Sequence, residues 1–417
     1  MPAIRPAPAL DLPLSTVVAN VAFDVDALAR RLSREVPPRV ASARDIDAGI
    51  AGRLSYDIDR TPFTVSLAGD RVQVETQLTA HAELCKPLGI LGCVPYTGCN
   101  PAAHAVAAVP LILRDDYSIG PASAFIAVTR PCLLTSLSLD ATPRIQSGAD
   151  QQARRIRARI NAMLPSFEPG ARALWNAMGV VVPLGLQSRL RIEPEQVVQG
   201  QPTMSDHHVS IPLGVRGRLL IESRESASGP RPALPHPVLE PGLAAGVSLD
   251  VPVEVDSESA SASVFRTMPS HPIDTDDDEL ALAALRVRTD ERGVVLIASL
   301  AGRVCGDVAF LARPVFDLRE SRIRFEYVQP MERSAAGHAR RLQAVAAAIQ
   351  RYASVELPVD VQSVPEGLER AVSLVRQSSG PDVIVHTEPA KVAEVKATPG
   401  GIAVIVQVRG TADVVVR

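Results

Sequence analysis

The chain repeats one local pattern at two distant places, and this repeat constrains the fold more than any other feature of the sequence. Residues 17–24 alternate apolar and polar side chains, as a half-buried strand does, and end at Asp24 before apolar residues at helical spacing. Residues 249–256 alternate in the same way, and Asp256 stands where Asp24 stands in the first copy. Aspartate directly before a helix is a favourable N-cap. The sequence therefore predicts two strand–helix units of common design.

Further matches extend this repeat toward the end of each copy. Residues 191–197 resemble residues 386–392, and Val-Arg-Gly recurs at residues 215–217 and 408–410. Between these anchors, alternating strands are followed in both copies by a pair of amphipathic helices. We therefore expect an elongated α+β fold built by tandem duplication, in which each unit is a long curved antiparallel sheet wrapped around amphipathic helices.

The composition of the segments between the copies suggests the domain boundaries. A proline-rich stretch follows the first copy and holds five prolines within residues 225–241, which is typical of a stiff, exposed connector. The expected organisation has four parts: a proline-rich N-terminal tether at 1–14, a first repeat at 15–224 with a Cys-rich loop at 85–103, a connector at 225–245, and a second repeat at 246–417.

Four of the five cysteines lie in the first copy and are candidates for disulfides: Cys85, Cys93, Cys99 and Cys132. Free thiols and a zinc site are the alternatives. Zinc is disfavoured because the Cys-x7-Cys-x5-Cys spacing lacks the short C-x2-4-C pair of structural sites, so no metal is predicted. Disulfides would place the protein in an oxidising compartment such as the periplasm. The spacing does not decide which cysteines pair.

Composition and motifs exclude several classes of function. With 46% hydrophobic residues, 21% charged residues and a net charge of −3, the chain is neither disordered nor basic enough to suggest a nucleic-acid partner. The sequence contains no G-x-S-x-G elbow, no P-loop and no G-x-G-x-x-G turn. We therefore expect no enzyme activity and no cofactor. Aromatic residues make up only 3% of the chain, which predicts an aliphatic interior.

The amphipathic helices supply the candidate ligand-binding residues, because incomplete filling between helix and sheet would leave an apolar tunnel. Ordinary core packing is the alternative for each of them, Trp175 included. The candidates are Leu28, Leu32, Ile156, Ile160, Leu174, Trp175, Leu342, Val345 and Ile349.

Arginines are concentrated on matching helices of both copies, at residues 154–159 and at Arg340 and Arg341. Such a basic face can make a peripheral contact with anionic lipid head groups, although a merely solvated face is the alternative. Peripheral membrane contact is therefore one expectation.

Several segments together carry a resemblance to known proteins: Val17–Val36, Leu54–Ile58, the helix around Trp175, and Leu190–Pro194. They resemble a bacterial family of exported proteins, a domain of unknown function whose members are often lipoproteins. At the level of fold, the duplicated sheet with lengthwise helices is similar to the tubular lipid-binding (TULIP) superfamily, which includes the bactericidal/permeability-increasing and synaptotagmin-like mitochondrial lipid-binding proteins.

The resemblance implies an elongated body that holds acyl chains in apolar tunnels, in the periplasm or at the outer membrane, with a leader expected to be absent from this chain. We therefore predict non-enzymatic binding or transport of a lipid or another hydrophobic ligand in the cell envelope. A solidly packed structural or interaction module without a ligand is the alternative, and an enzyme with an unrecognised site is a more distant one.

Overall fold

A computed structural model describes most of the chain. The described residues are 4–49, 52–87, 93–134, 138–164, 166–178, 181–185, 188–222, 233–268, 273–275, 278–301, 305–331, 336–378 and 382–415.

The first half of the chain opens with one strand and one helix, continues through a meander of strands and a helix pair, and closes with long strands. The strand–helix opening is β1 (Ser15–Asp24) and α1 (Val25–Glu35). The meander is β2 (Arg39–Asp47), β3 (Arg53–Arg60), β4 (Thr64–Ala68), β5 (Arg71–Pro87), β6 (Cys93–Cys99), β7 (Ala102–Pro110), β8 (Ser123–Arg130), β9 (Leu133–Leu134) and β10 (Leu139–Asp140). The helix pair and closing strands are α2 (Thr142–Met163), α3 (Glu168–Met178), β11 (Val181–Gly185), β12 (Ser188–Gln199), β13 (Thr203–Ser205) and β14 (His208–Glu222).

The second half runs through the same kinds of element after a short strand, β15 (Pro237–Leu239), which lies within the predicted connector. Its opening is β16 (Gly246–Asp256) and α4 (Ser257–Thr267). The remaining elements are β17 (Ile273–Thr275), β18 (Asp278–Asp290), β19 (Gly293–Ala301), β20 (Gly306–Asp317), β21 (Arg322–Pro330), α5 (Ala336–Tyr352), β22 (Ser354–Glu356), α6 (Ser363–Ser378), β23 (Asp382–Thr387), β24 (Lys391–Ala397) and β25 (Gly401–Val415). The α+β class is thus confirmed.

Both predicted N-caps are present at the strand–helix junctions. The Asp24 carboxylate accepts hydrogen bonds from the backbone N–H groups of Asp26 and Ala27, at 2.7 and 3.0 Å. Asp256 accepts from Glu258 and Ser259 in the same way, at 3.0 and 2.8 Å. These backbone donors lower the pKa of both carboxyl groups, because they stabilise the ionised form.

The strands form three large sheets, of which the central one draws on both halves of the chain. Its order is β11-β12-β14-β1-β16-β25-β23, with β13, β15 and β24 paired at its sides. Strands β1 and β16 meet at the junction between the halves and pair antiparallel. The first sheet, with order β2-β3-β5-β7-β8, also carries β4 and β6, and the second sheet has the order β17-β18-β19-β20-β21-β22.

The main hydrophobic core lies in the second half, between the second sheet, the central sheet and helices α4, α5 and α6. Its side chains include Phe310, Phe325 and Ile349, each with 0% of its surface exposed. The first half contributes only a few residues to this core. They are Ala19, Leu190 and Leu219, and all three lie on strands of the central sheet. The two halves are therefore packed to different degrees.

The N-terminal segment, predicted as a tether, lies against the outer face of the second sheet. Ile4 packs on a small cluster that contains Val295 and Ile297. The backbone N–H of Arg5 donates to the Asp290 carboxylate at 3.0 Å, and the Arg292 guanidinium donates to the same carboxylate at 2.7 Å. The Asp290 side chain is fully buried. The hydrogen bonds from Arg292 hold the pKa of Asp290 at about 2, below its ordinary value of 3.8.

Replacing Asp290 by asparagine is expected to lower the free energy of unfolding at pH 7 by about 1–3 kcal/mol, the usual cost of breaking a buried charge-assisted bond. A carboxyl group whose pKa is lower in the folded state stabilises the fold above its unfolded pKa, and this stabilisation is lost as the pH falls through the folded pKa. The difference between wild type and variant should therefore shrink between pH 5 and pH 2. Urea unfolding at pH 7, 4 and 2.5 measures it, with the exposed Asp11→Asn as control; an equal difference at every pH would contradict this account.

Candidate functional site

The inner face of the first sheet is set by strict alternation along β5. Even-numbered residues of β5 point to one face, and their partners on neighbouring strands point the same way because cross-strand pairs share a face. Leu78, for example, pairs with Ala103 of β7, which pairs in turn with Val128 of β8. On the other side, Ala80 pairs with Ile58 of β3. The register thus joins apolar side chains from five strands into one surface.

The middle of this inner face is apolar and half-buried, and we call it the trough. Fourteen positions belong to it, each of intermediate exposure, and eight of them are alanine. Its polar members are one threonine and one tyrosine. The trough consists of Ala41, Ala43, Tyr56, Ile58, Thr76, Leu78, Ala80, Ala82, Ala103, Ala105, Ala107, Ala124, Ile126 and Val128.

Two hydrophobic clusters close the ends of the trough. At one end, Val25, Leu28 and Ala29 of helix α1 pack on Val65 and Val72 of the sheet. At the other end, Leu84 lies with Cys132, Leu134 and Ile145. No trough residue belongs to any buried cluster of the described part of the chain. The apolar surface between the two ends is therefore left partly open.

The corresponding face of the second sheet is fully buried. Leu296 pairs with Val287 on one side and with Phe310 on the other, and these three side chains are 0%, 2% and 0% exposed. Phe325 and Ile323 continue the face on β21 with no exposed surface. Helices α4 and α5 complete the packing with Val264 and Val345. The inner face of the second sheet is thus covered by packed side chains of the sheet and of α4 and α5, whereas the trough is left half-exposed.

Side-chain size accounts for this contrast. The filled face is built mainly from leucine, isoleucine, valine and phenylalanine, with Ala298 and Ala312 among them, while alanine occupies more than half of the trough. An alanine side chain ends at Cβ, so a row of alanines leaves the space that larger side chains fill in the second sheet. On a half-exposed apolar face of this kind, a hydrophobic ligand would gain dispersion contacts and lose contact with water.

Two disulfides pin the far end of the first sheet. Cys85 is bonded to Cys93, and Cys99 is bonded to Cys132. The disulfide prediction is therefore confirmed, and the pairing that the spacing left open is settled. Much of the predicted Cys-rich loop is strand, because residues 85–87 end β5 and residues 93–99 form β6, paired to β5. The remaining cysteine, Cys305, is exposed and free.

Asp45 lies close to the sulfurs of Cys85 and Cys93, which gives the geometry of a three-residue metal site. Both sulfurs are held in a disulfide, however, and a disulfide sulfur is not the thiolate that zinc requires. The arrangement is therefore a covalent crosslink at the end of the sheet.

The first-half helix candidates differ in exposure and in what they contact. Leu28 packs in the cluster that closes the trough at helix α1, and Leu32, one helical turn later, is half-buried. Ile160 of α2 is half-buried, but Ile156 is 42% exposed. Trp175 is buried, with 4% exposure, and the side chain of Leu174 lies outside the described residues. The structure thus brings Leu28 to the trough's edge and turns Ile156 toward solvent.

The second-half candidates all lie in the main core. Leu342, Val345 and Ile349 of α5 are 7%, 0% and 0% exposed and belong to one buried cluster. They pack against the filled face of the second sheet. Their surroundings are those of ordinary core residues.

The sequence reasoning missed the strand alanines because it searched the helices for ligand contacts. A signal was present in the strands. Within residues 102–107, alanine stands at 102, 103, 105 and 107, and on β5 Ala80 and Ala82 alternate with polar residues. Alternation of alanine with polar side chains indicates a sheet face with apolar character but little volume.

A separate open groove of about 600 Å³ follows the polar face of α1. It is lined by Asp26, Arg30, Arg34 and the β3–β4 turn with Phe63. Ala29 lines this groove and also belongs to the cluster of α1 with Val65 and Val72, but no trough residue lines the groove, so the groove adjoins that end of the first sheet without being part of the trough.

Among the described helices, none combines the length and the hydropathy that crossing a bilayer requires.

Comparison with known proteins decides the family. The family model described as a domain of unknown function, DUF4403, matches residues 13–416. This chain belongs to the DUF4403 family. The match spans nearly the whole DUF4403 chain, so the family resemblance seen in the sequence is confirmed. No curated protein is similar enough in sequence to count as a relative.

Three solved structures resemble this DUF4403 protein weakly. A lipopolysaccharide binding protein shares 10% identity, covers 97% of this chain and 100% of its own, and has a TM-score of 0.28. P47 of Clostridium botulinum E1 shares 8% identity over 94% of this chain and 98% of its own, with a TM-score of 0.21. P47 from Clostridium botulinum A2 shares 9% over 94% and 96%, with a TM-score of 0.23. These TM-scores are low, so the likeness says nothing about what this chain binds.

Proposed function

We propose that this protein binds a lipid or another hydrophobic molecule without chemical conversion, and that the apolar part of the ligand lies in the trough. The observation that carries this proposal is the contrast between the two sheets. The alanine-lined inner face of the first sheet is half-exposed between two closed ends, while the equivalent face of the second sheet is filled.

The dimensions of the trough suit an extended hydrocarbon. Along β5 it runs from Thr76 to Ala82, which at strand spacing is about 20 Å. Each methylene group that moves from water onto this surface contributes about 0.8 kcal/mol. Affinity can therefore come from apolar contact alone, and the trough's ionisable side chain, Tyr56, gives no acid–base pair for catalysis.

The arrangement of elements supports a TULIP-like body made of two duplicated units. We assign the first unit to 15–224 and the second to 246–417, preceded by segment 1–14 and joined by connector 225–245. Both units open with a strand capped by aspartate, at Asp24 and Asp256, and both close in the central sheet. In this proposal, the first unit carries the ligand, and Leu342, Val345 and Ile349 of the second unit serve as core.

We place the protein in the periplasm or at the outer membrane. The two disulfides fit an extracytoplasmic protein, since structural disulfides persist in oxidising compartments. A lipid-binding protein in the cell envelope would encounter its ligand in the adjoining membranes.

Organic extraction of the protein purified from cells, followed by lipid mass spectrometry beside a mock purification, tests the proposal. We expect phospholipid or fatty acid in roughly stoichiometric amount, because an apolar surface open to water gains from being covered. A lipid-free protein would instead favour the alternative, a packed structural or interaction module, for which the filled second sheet already provides a precedent.

A further inference from the structure

Helix α2 carries a dense basic surface with no acidic partner. Arg154, Arg155, Arg157 and Arg159 are all exposed, and within the described residues no ion pair joins any of them to a carboxylate. The single acidic residue of α2 is Asp150, which accepts a hydrogen bond from Gln146 at 2.7 Å. Among the described residues, no carboxylate therefore pairs with these four arginines.

Large apolar side chains are exposed on the same surface. Ile156 is 42% exposed and Met163 is 65% exposed. Arg155, Arg159 and Met163 follow one another at i, i+4 and i+8, and Ile156 adjoins them, so these four side chains form one stripe along the helix. An exposed stripe that mixes aliphatic and arginine side chains is typical of helices that lie at a membrane interface.

Another side of α2, which carries Gln146, Ala153 and Asn161, is fixed to the first sheet. The Gln146 side chain donates to the backbone carbonyl of Ile126 at 2.8 Å and accepts from the N–H of Val128 at 2.9 Å. Asn161 accepts from the backbone N–H of Ala122 at 2.7 Å, and Ala153 is buried. Because α2 is held near both of its ends, the stripe of Arg155, Ile156, Arg159 and Met163 stays exposed to solvent.

We propose that the exposed face of α2 docks on a bilayer surface that contains anionic phospholipid. Guanidinium groups bind phosphate oxygens in bidentate geometry, and the exposed Ile156 and Met163 can enter the boundary between head groups and acyl chains. A nucleic acid fits this surface less well, because the protein has a net charge of −3 and nucleic-acid sites gain little from exposed aliphatic residues.

Docking would also orient the trough. Ile126 and Val128 of β8 line the trough, and the same two residues hold α2 through their backbone. A bound α2 would therefore hold β8, and the edge of the trough that β8 forms, close to the bilayer. The functional meaning of this orientation rests on the proposed ligand site in the trough. The docking of α2 on a bilayer does not depend on that site.

Flotation with vesicles tests the docking surface on the full chain. We expect binding to phosphatidylcholine vesicles that contain 30% phosphatidylglycerol, little binding to phosphatidylcholine alone, and loss of binding at high salt. The double variant Arg155→Gln, Arg159→Gln should bind about 30-fold more weakly, since each arginine near an anionic surface contributes roughly a fivefold step in affinity. Met163→Ser should weaken vesicle binding without changing the charge.

A matched control removes the same charge elsewhere. Arg288→Gln with Arg313→Gln changes two exposed arginines of the second half and should bind vesicles as the wild type does. Equal binding by wild type and the Arg155, Arg159 variant would overturn the proposal, as would tighter binding to a DNA duplex than to the vesicles. Lipid retained after purification should be the same in all these variants, so failure of docking is distinguishable from failure of the trough as a ligand site.

Discussion

Replacing Phe310 by alanine is expected to lower the free energy of unfolding by about 3–5 kcal/mol. Phe310 is fully buried on β20, between Leu296 of β19 and Pro330 of β21, in the core that fills the second sheet. Removing the ring leaves a cavity in a region where neighbouring elements approach from both sides, so relaxation can close little of it. Urea unfolding followed by circular dichroism measures the loss.

The chain provides a matched control for this substitution. Phe125 of β8 is 53% exposed on the outer face of the first sheet, so Phe125→Ala removes an equal ring from a site with few contacts. We expect a change within about 1 kcal/mol. Equal effects of the two substitutions would show that the second sheet is not the packed core described above.

Replacing Ala105 by phenylalanine is expected to reduce retained lipid at least tenfold while leaving the protein folded. Ala105 lies in the middle of the trough, between Thr76 of β5 and Ile126 of β8. A ring at this position would occupy the space that we assign to the ligand, and it would lie against apolar neighbours without displacing them. Lipid mass spectrometry of the purified variant and titration with a fluorescent fatty acid give the two readouts.

Ala127→Phe is the control for this experiment, because Ala127 is exposed on the outer face of the adjoining strand. It should retain lipid as the wild type does. If Ala105→Phe instead lowers the free energy of unfolding by 1–3 kcal/mol and leaves lipid retention unchanged, the trough is too closely packed to hold a ligand. Each result thus distinguishes an open trough from a filled one.

Local sequence signals predicted the junctions of the fold well. Asp24 and Asp256 cap helices after alternating strands, as their positions before apolar helical spacing indicated. The four cysteines named from their spacing are those that form the disulfides. These features depend on contacts within a few residues, or on chemistry that one residue type brings, and so they can be read from the sequence.

Features that depend on register between distant strands were not predicted. The trough exists because Ala80, Ala105 and Ile58 share one face, and their strands are joined only through β5 pairings that the sequence does not specify. For the same reason, apolar helix residues were treated alike in both halves. Ile156 lies exposed while Ile349 is fully buried, although both occupy amphipathic helices, because burial depends on what the sheet presents to the helix.

The central sheet has a consequence for any attempt to divide this protein. Its strands cross from one half to the other through β1, β16 and β25, so a cut in the proline-rich connector would not yield two finished pieces. Each fragment would instead expose the backbone groups that join β1 to β16 and β25, and the core would lose the contacts of Ala19, Leu190 and Leu219. The fragments should therefore reassemble with each other, or pair with copies of themselves, in preference to existing as separate soluble proteins.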